Sequence, residues 1–500
     1  MKFPTNRLIV IPFVLVLPIV LLIAAGNASS DRIEKMSVVI NFDVEDYISP
    51  ESEGIDDIPK WLAEIMTEEG VKGTFFVIGE KARSLVSRGR RDVIAVMAKH
   101  DIGSHTNFGS IHPTVTEILE KADGPNGMKE MREREGAGFR ELQRIFGVPV
   151  MTMGRHGGSY GPQLVAALGK MGVGYAGSPI KLPGKSVVWF CNALNFSGQY
   201  DGFDDTYWRD DLFDPLLDKL AADFPTLSRT VEMLPLFAGH PCRIRTIQFW
   251  DLNYYKGVNT VPAEWKTPEM RPRESMATAQ KNFRRLIRAL KDREDVELTT
   301  FRELMGHFGS QKEIISALEL DEIARRTLKE KRIVTDEYFS PAEAFAALVT
   351  AISEGRRAGT MTPKIKVRHA LGPWEVPPSK PHVTRVGKID IDELADMASK
   401  YIDKFGSIPA SLEIEGRRIG TGSLFVLFCA AYLDLRSGAM AEAYDIPSFD
   451  PYPRIPNEDE IMDQILSYKT WPVHRPDLNM DRIVELTKLQ LWTLKPAQKR

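Results

Sequence analysis

Residues 104–113 read SHTNFGSIHP, with His105 and His112 seven positions apart on either side of a polar segment. Two imidazoles can share a metal ion, and zinc takes each ring nitrogen at about 2.0–2.1 Å. On an α-helix, residues seven apart are separated by about 10.5 Å along the axis, so a shared ion requires a loop that folds back. Asn107, Gly109, Ser110 and Pro113 favour such a loop. His105 and His112 are therefore candidate metal ligands, with a surface turn as the alternative for His112. Other chemistry-bearing residues close apolar runs elsewhere: Asp43, Glu45 and Asp46 follow VVINF, Arg155 and His156 end VMTMGRH, and His240 ends LPLFAGH. Carboxylates can act as bases or metal ligands and an imidazole as an acid. The competing readings are local: a helix or turn cap for Asp43 and Asp46, an ion pair for Arg155, a buried hydrogen-bonded ring for His240.

The elements that must position these residues alternate between short apolar runs and longer amphipathic stretches. MSVVINFD, GTFFVIG, DIGSH, VPVMTMGRH, VGYAG, SVVWFCNAL and MLPLFAGHP read as strands. DIPKWLAEIMTEEG, EKARSLVSRGRRDVIAVMAKH, MKEMREREGAGFRELQRIFG and ESMATAQKNFRRLIRALKDRE read as helices. Such alternation predicts an α/β fold with a parallel sheet and helical crossovers. Seven or eight units fit a closed or distorted (β/α) barrel over residues 36–310, where chemistry sits at the C-terminal ends of strands. A smaller, mainly helical domain follows over 311–445, in which two stretches share a helix, extended link, helix plan. LGPWEVPPSKP (371–381) joins them and reads as a stiff linker. The tail, 446–500, is Pro-rich and then helical, and its role is not legible.

The formal net charge of −3 gives no basic surface for nucleic acid. Three cysteines, Cys191, Cys242 and Cys429, allow at most one bridge. Residues 8–25 are uncharged and apolar and follow Lys2 and Arg7, the layout of a signal peptide or N-terminal membrane anchor within residues 1–30. The expectation is a protein secreted or anchored outside the cytoplasm.

NFDVEDY, GTFFVIG, GSHTNFGSIHP, RHGGSYG and LFAGHP stand in the order of the segments of the polysaccharide deacetylases, the NodB-type carbohydrate esterases, which residues 36–305 resemble. The resemblance implies a distorted barrel that binds a divalent metal, usually zinc, through an acid and two histidines and hydrolyses the acetamido groups of a glycan. Carried over by position, Asp43 matches the base and Glu45, with Asp46 as rival, the metal-binding acid. His105 matches the first metal histidine, Arg155 the residue that orients the base, and His240 the acid toward the leaving amine. The family's second histidine falls at Gly109, so His112, followed by Pro113, is the substitute. Gly157 stands where a proline is usual and delays the aromatic to Tyr160; His156 becomes an extra candidate ligand.

Trp208, Trp250, Tyr254 and Tyr255 offer a sugar-stacking platform, with lid packing as the alternative, and Tyr160, Trp208 and Trp250 are the substrate-binding candidates. The stretch DELADMASKYIDKFGSIPASLEIEGRRIGTGSLFVLF looks like a pseudomurein-binding-type repeat, which implies cell-wall contact through the C-terminal module. The expected function is metal-dependent deacetylation of an envelope polysaccharide. A cyclic-amide hydrolase on the same fold and an inactive glycan-binding protein are the alternatives.

Overall fold

A computed structural model describes residues 35–358, 362–438 and 440–499. The strands of its main sheet are β1 (Met36–Val44), β2 (Thr74–Val77), β3 (Asp101–Ser104), β4 (Thr152–Gly154), β5 (Gly174–Ser178), β6 (Val187–Phe190), β7 (Ala193–Ser197), β8 (Met233–Gly239) and β9 (Val296–Thr299). β1 is the axis of the sheet. Its Val38, Val39, Ile40 and Phe42 are all buried, as a strand covered on both faces requires. One edge of β1 pairs in parallel with β8, while the other is shared between β9 at its start and β2 at its end. From β2 the sheet continues through β3, β4, β5 and β7. It curls until the chain after β7 reaches β8: Tyr200 N–H donates to Pro235 O and Phe237 N–H to Tyr200 O, at 2.9 and 2.8 Å. This is a distorted (β/α) barrel with further helical regions, the fold class read from the strand and helix alternation.

The interior is filled rather than open. Phe76 points inward from β2, and Gly103 and Gly154 on the neighbouring strands make room, since a Cβ on either would lie 2.3 or 2.6 Å from its ring. The helix Phe301–Phe308 closes the N-terminal ends of β2 and β3, where Phe301 N–H donates to Thr74 Oγ1 and Arg302 N–H to Asp101 Oδ2. Chemistry is left to the opposite end.

Two elements differ from the sequence expectation. SVVWFCNAL is a hairpin and not one strand: β6 and β7 pair antiparallel across Cys191 and Asn192, whose φ of 50° and 59° make a tight two-residue turn. EKARSLVSRGRRDVIAVMAKH breaks at Gly89 into helices Gly79–Ser87 and Arg91–Met97, Gly89 taking a positive φ of 71°. All three cysteines are free and buried.

Helices Ala317–Glu330, Pro341–Ala358, Lys388–Phe405 and Thr421–Ser437 enclose a second apolar core around Phe345, Phe425 and Phe428. Residues 371–374 of the Pro-rich connector lie on the tail, with Gly372 N–H on Gln490 Oε1 and Gln490 Nε2–H on Pro373 O. The tail joins both cores. Ile461, Ile465, Val473 and Ile483 pack into the barrel's core, Trp492 packs on Phe345 and Phe425, and Lys495–Pro496 adds an antiparallel strand to β6. The apolar run 8–25 lies outside the described residues, and among those described no helix is long and apolar enough to cross a membrane.

His100 reports on the barrel's acid tolerance. Its Nε2 sits 2.9 Å from Ala63 O, so it donates there, while Nδ1 accepts from Gly73 N–H. Burial pushes its pKa down to about 4. A histidine depressed in the fold contributes stability that is complete above the unfolded value near 6.5 and is lost as pH falls toward 4. The unfolding free energy from urea titration should drop between pH 7 and pH 4 by up to about 3 kcal/mol from this residue, and His100→Gln should flatten that drop.

Candidate active site

Four strand ends deliver the polar residues. Asp43 is the last residue but one of β1 and Glu45 follows two positions later, on the same side of an extended chain. His105 follows β3, His156 follows β4 by two residues, and His240 follows β8. The contacts centre on Glu45. Its Oε1 lies 3.1 Å from His105 Nε2, 3.4 Å from His156 Nε2 and 3.8 Å from His240 Nε2. Its Oε2 accepts the indole N–H of Trp250 at 2.7 Å. Asp43 Oδ2 lies 3.4 Å from His105 Nε2 and 3.8 Å from His240 Nε2.

The protons of this cluster can be followed. His105 Nδ1 faces Gly154 O at 3.2 Å; a carbonyl only accepts, so Nδ1 carries the proton. In the neutral ring Nε2 then turns a lone pair toward two carboxylate oxygens. Such an arrangement demands a cation among the three, either a second proton or a metal ion. Glu45, His105 and His156 offer one donor atom each, all within 4.8 Å of one another. Ligands at zinc's bond lengths of about 2.0–2.2 Å stand about 3.4 Å apart along a tetrahedron's edge, and the two contacts of Glu45 Oε1 at 3.1 and 3.4 Å fit that edge. The donor set fits a divalent ion.

Electrostatics divides the remaining pair. Burial raises the Asp43 carboxyl above the ordinary range, against the pull of His105 and His240. Glu45 is held well below it: burial opposes its charge, but His240, His105 and His156 outweigh that. Burial pushes His156 down. His240 goes the other way, because Asp204, Glu45 and Asp43 overcome burial and push it up to about 10. Asp204 holds that ring, accepting from His240 Nδ1 and from its backbone N–H, each at 2.7 Å.

Several sequence candidates lie elsewhere. Asp46 faces away, accepting from the backbone of Ile48 and Ser49 and from the Ser49 hydroxyl. His112 is occupied on both nitrogens, Nδ1 by Glu117 Oε2 and Nε2 by Tyr254 O, each at 2.8 Å. Two acceptors suit an imidazolium, whose pKa is raised, and an imidazolium has no lone pair for a metal. The loop 104–113 folds back without bringing its two histidines to one point. Gly109, with φ of 57°, faces Ile78 and the far edge of the Trp250 indole. That indole spans from Gly109 to Glu45. Trp250 is thus buried and holds Glu45 instead of forming a sugar platform, and Tyr254 is buried with its hydroxyl on Tyr47. Tyr160 is fully buried against Tyr175 and Tyr468. Trp208 is half-buried, with Arg209 and Arg271 over its ring, while Tyr255 is exposed. Arg155 makes no contact with Asp43; it donates to Gly157 O and Gly177 O and lies 4.4 Å over the Tyr468 ring.

Sequence reasoning missed Asp204 and the tail. Asp204 stands among five acids in DGFDDTYWRDD with nothing to mark it out. Residues 468–475 run along the site's wall: Trp471 meets His156 edge-on with ring centroids 4.9 Å apart, and His474 packs against Trp471 at 5.0 Å.

No family model and no curated protein matches this chain. Among solved structures, the chain is similar to a Mycobacterium smegmatis protein assigned as a polysaccharide deacetylase, at 14% identity and a TM-score of 0.36 over 56% of this chain and 91% of that one. It is similar to the Xyl-CE4 domain of a multidomain xylanase from the hindgut metagenome of Trinervitermes trinervoides, at 12% identity and a TM-score of 0.30 over 54% and 90%. A CE4 family pseudoenzyme from Bacillus anthracis aligns at 13% identity and a TM-score of 0.29 over 54% of this chain and 66% of that one.

The placement of His112 gives a direct check. Burial opposes the Glu117 charge, but His112, the Thr114 amide and the Arg475 amide pull its pKa down to about 2. Breaking this buried pair with His112→Ala should cost about 3–5 kcal/mol in a urea titration at pH 7 while leaving the protein's metal content at the wild-type level by elemental mass spectrometry.

Proposed function

We propose that this chain is a metal-dependent deacetylase that hydrolyses the acetamido group of an envelope or extracellular polysaccharide. The observation that carries the reading is the convergence of His105 Nε2 and His156 Nε2 on Glu45 Oε1 at 3.1 and 3.4 Å, spacings that suit three donors around one ion. Glu45, His105 and His156 would hold the ion, and the mixed carboxylate and imidazole donors suit zinc. Bound there, the ion supplies Lewis-acid polarisation of the amide carbonyl and a lowered pKa for attacking water.

The residues of this chain do the rest. Asp43, its basicity raised by burial, takes the proton of the water that adds to the carbonyl carbon. His240 is positively charged at neutral pH and gives its Nε2 proton to the nitrogen as the C–N bond breaks, releasing a free amine and acetate. Asp204 keeps that ring turned inward, with Nε2 toward Asp43. A buried carboxylate beside a histidine held in its charged form supplies the two partners that an acid and base division needs. Trp250 fixes the carboxylate of Glu45 so that Oε1 stays toward the histidines. The choice of an acetylated polysaccharide rests on the motif resemblance of residues 36–305, and export on the apolar run 8–25.

The test begins with metal. Wild-type protein should carry close to one zinc or similar ion per chain, and His105→Ala or His156→Ala should lose it. With metal retained, Asp43→Asn and His240→Asn should each lower the rate of acetate release from an acetylated oligosaccharide by about 10²- to 10⁴-fold. Metal uptake without acetate release, but with ring opening of a cyclic amide, would replace the deacetylase reading; absence of metal would leave a glycan-binding protein.

A further inference from the structure

We infer that Trp471, supplied by the C-terminal tail, is a positioning residue that sets the orientation of His156; this rests on the metal reading above. Metal-binding histidines ordinarily fix their ring through a hydrogen bond from the second nitrogen. His105 follows that pattern through Gly154 O. His156 does not: its Nδ1 is buried and has no hydrogen-bond partner among the described residues. What holds the ring is packing. His156 sits between two rings, His105 at 4.8 Å with an interplanar angle of 84° and Trp471 at 4.9 Å with 89°.

The chain is built to admit the indole. Gly157, the residue that stands where the resemblance leads one to expect proline, has φ of 48°, and a Cβ there would lie 2.3 Å from Trp471 Cε2. At Gly158 a Cβ would lie 2.6 Å from His474 Nε2 and from Tyr468 O. The tail is pinned on the far side as well, because Lys256 N–H donates to Pro472 O and Gly257 N–H to Val473 O at 2.9 and 3.0 Å. Trp471 is thus wedged against His156 by backbone contacts that do not involve His156 itself. Removing the indole frees the imidazole to rotate away from Glu45.

The experiment compares zinc affinity by chelator competition and the visible spectrum of the cobalt-substituted full-length protein in four forms. Trp471→Ala should bind zinc about 10- to 100-fold more weakly than wild type and give an altered cobalt spectrum, and Trp471→Phe, which keeps an aromatic edge, should recover most of the affinity. Arg475→Ala is the control for tail docking: it loses contacts with Glu117 and Glu120 without touching His156, and should lower the unfolding midpoint while leaving zinc affinity and the cobalt spectrum unchanged. If Trp471→Ala unfolds, Trp471→Leu, which fills space without a ring edge, carries the same comparison. Wild-type affinity in Trp471→Ala, or in Trp471→Leu where the alanine form unfolds, or equal loss in Arg475→Ala, overturns the inference while the metal reading stands. Wild-type protein that takes up no metal overturns both.

Discussion

Taking the Glu45 carboxylate out of water costs several kcal/mol unless other groups compensate its charge, and the ends of the barrel strands are arranged around that requirement. With 5% of its surface exposed, Glu45 draws an indole N–H to one oxygen and three imidazole nitrogens to the other. Each of these partners arrives from a different segment, so the carboxylate ties together the ends of β1, β3, β4 and β8 and the loop that carries Trp250. A neutral residue at position 45 would remove the reason for those side chains to converge. The filled interior below the site serves the same constraint: Phe76, stacked 6.4 Å beneath His105, leaves the imidazole no room to retreat into the barrel.

Much of this arrangement can be read in the amino-acid order. Strand ends are legible because apolar runs such as VVINF stop at charged residues, and the alternation with amphipathic helices leaves few alternatives to a parallel sheet. Asp43, Glu45, His105 and His240 stand at such ends and meet in space. His112 and His156 show where that logic stops. Both lie in loops rich in glycine and polar residues, and which ring turns inward depends on the partners that loop meets: Glu117 and the distant Tyr254 carbonyl capture His112, while Trp471 backs His156. Trp250 fails for a related reason, since a sequence states that a residue is aromatic but not whether its N–H has a buried carboxylate to satisfy. Cys191 and Asn192 hide a hairpin because neither residue pair nor spacing marks the turn, and Asp204 is one acid among neighbours of equal charge.

The tail is the largest element without a local signature. Its contacts with the barrel bridge more than three hundred residues of chain: Trp471 with His156, Arg475 with Glu117, Lys495–Pro496 with β6. No periodicity within 446–499 announces them, because the apolar face of Glu458–Ser467 or Asp481–Gln490 would look the same against any partner. Only the complementary absences in the barrel hint at it. Gly157 and Gly158, read alone, suggest a loose loop; read with Trp471 and His474 they are the space that two rings occupy.

The same geometry explains how acid and base can share so small a volume. Asp43 and His240 are 3.8 Å apart, too far for a direct hydrogen bond but close enough for each charge to act on the other. Asp204 stabilises the imidazolium from the opposite side, at 2.7 Å through Nδ1, while Glu45 adds a second negative charge facing Nε2. The proton therefore stays on His240, and burial leaves Asp43 poised to accept one. A cation held by Glu45, His105 and His156 would favour the ionised form of Asp43, whose Oδ2 lies 3.4 Å from His105 Nε2, while Asp204 continues to hold the charge on His240. The separation of roles depends less on the identity of the two groups than on which side of each faces the buried charge.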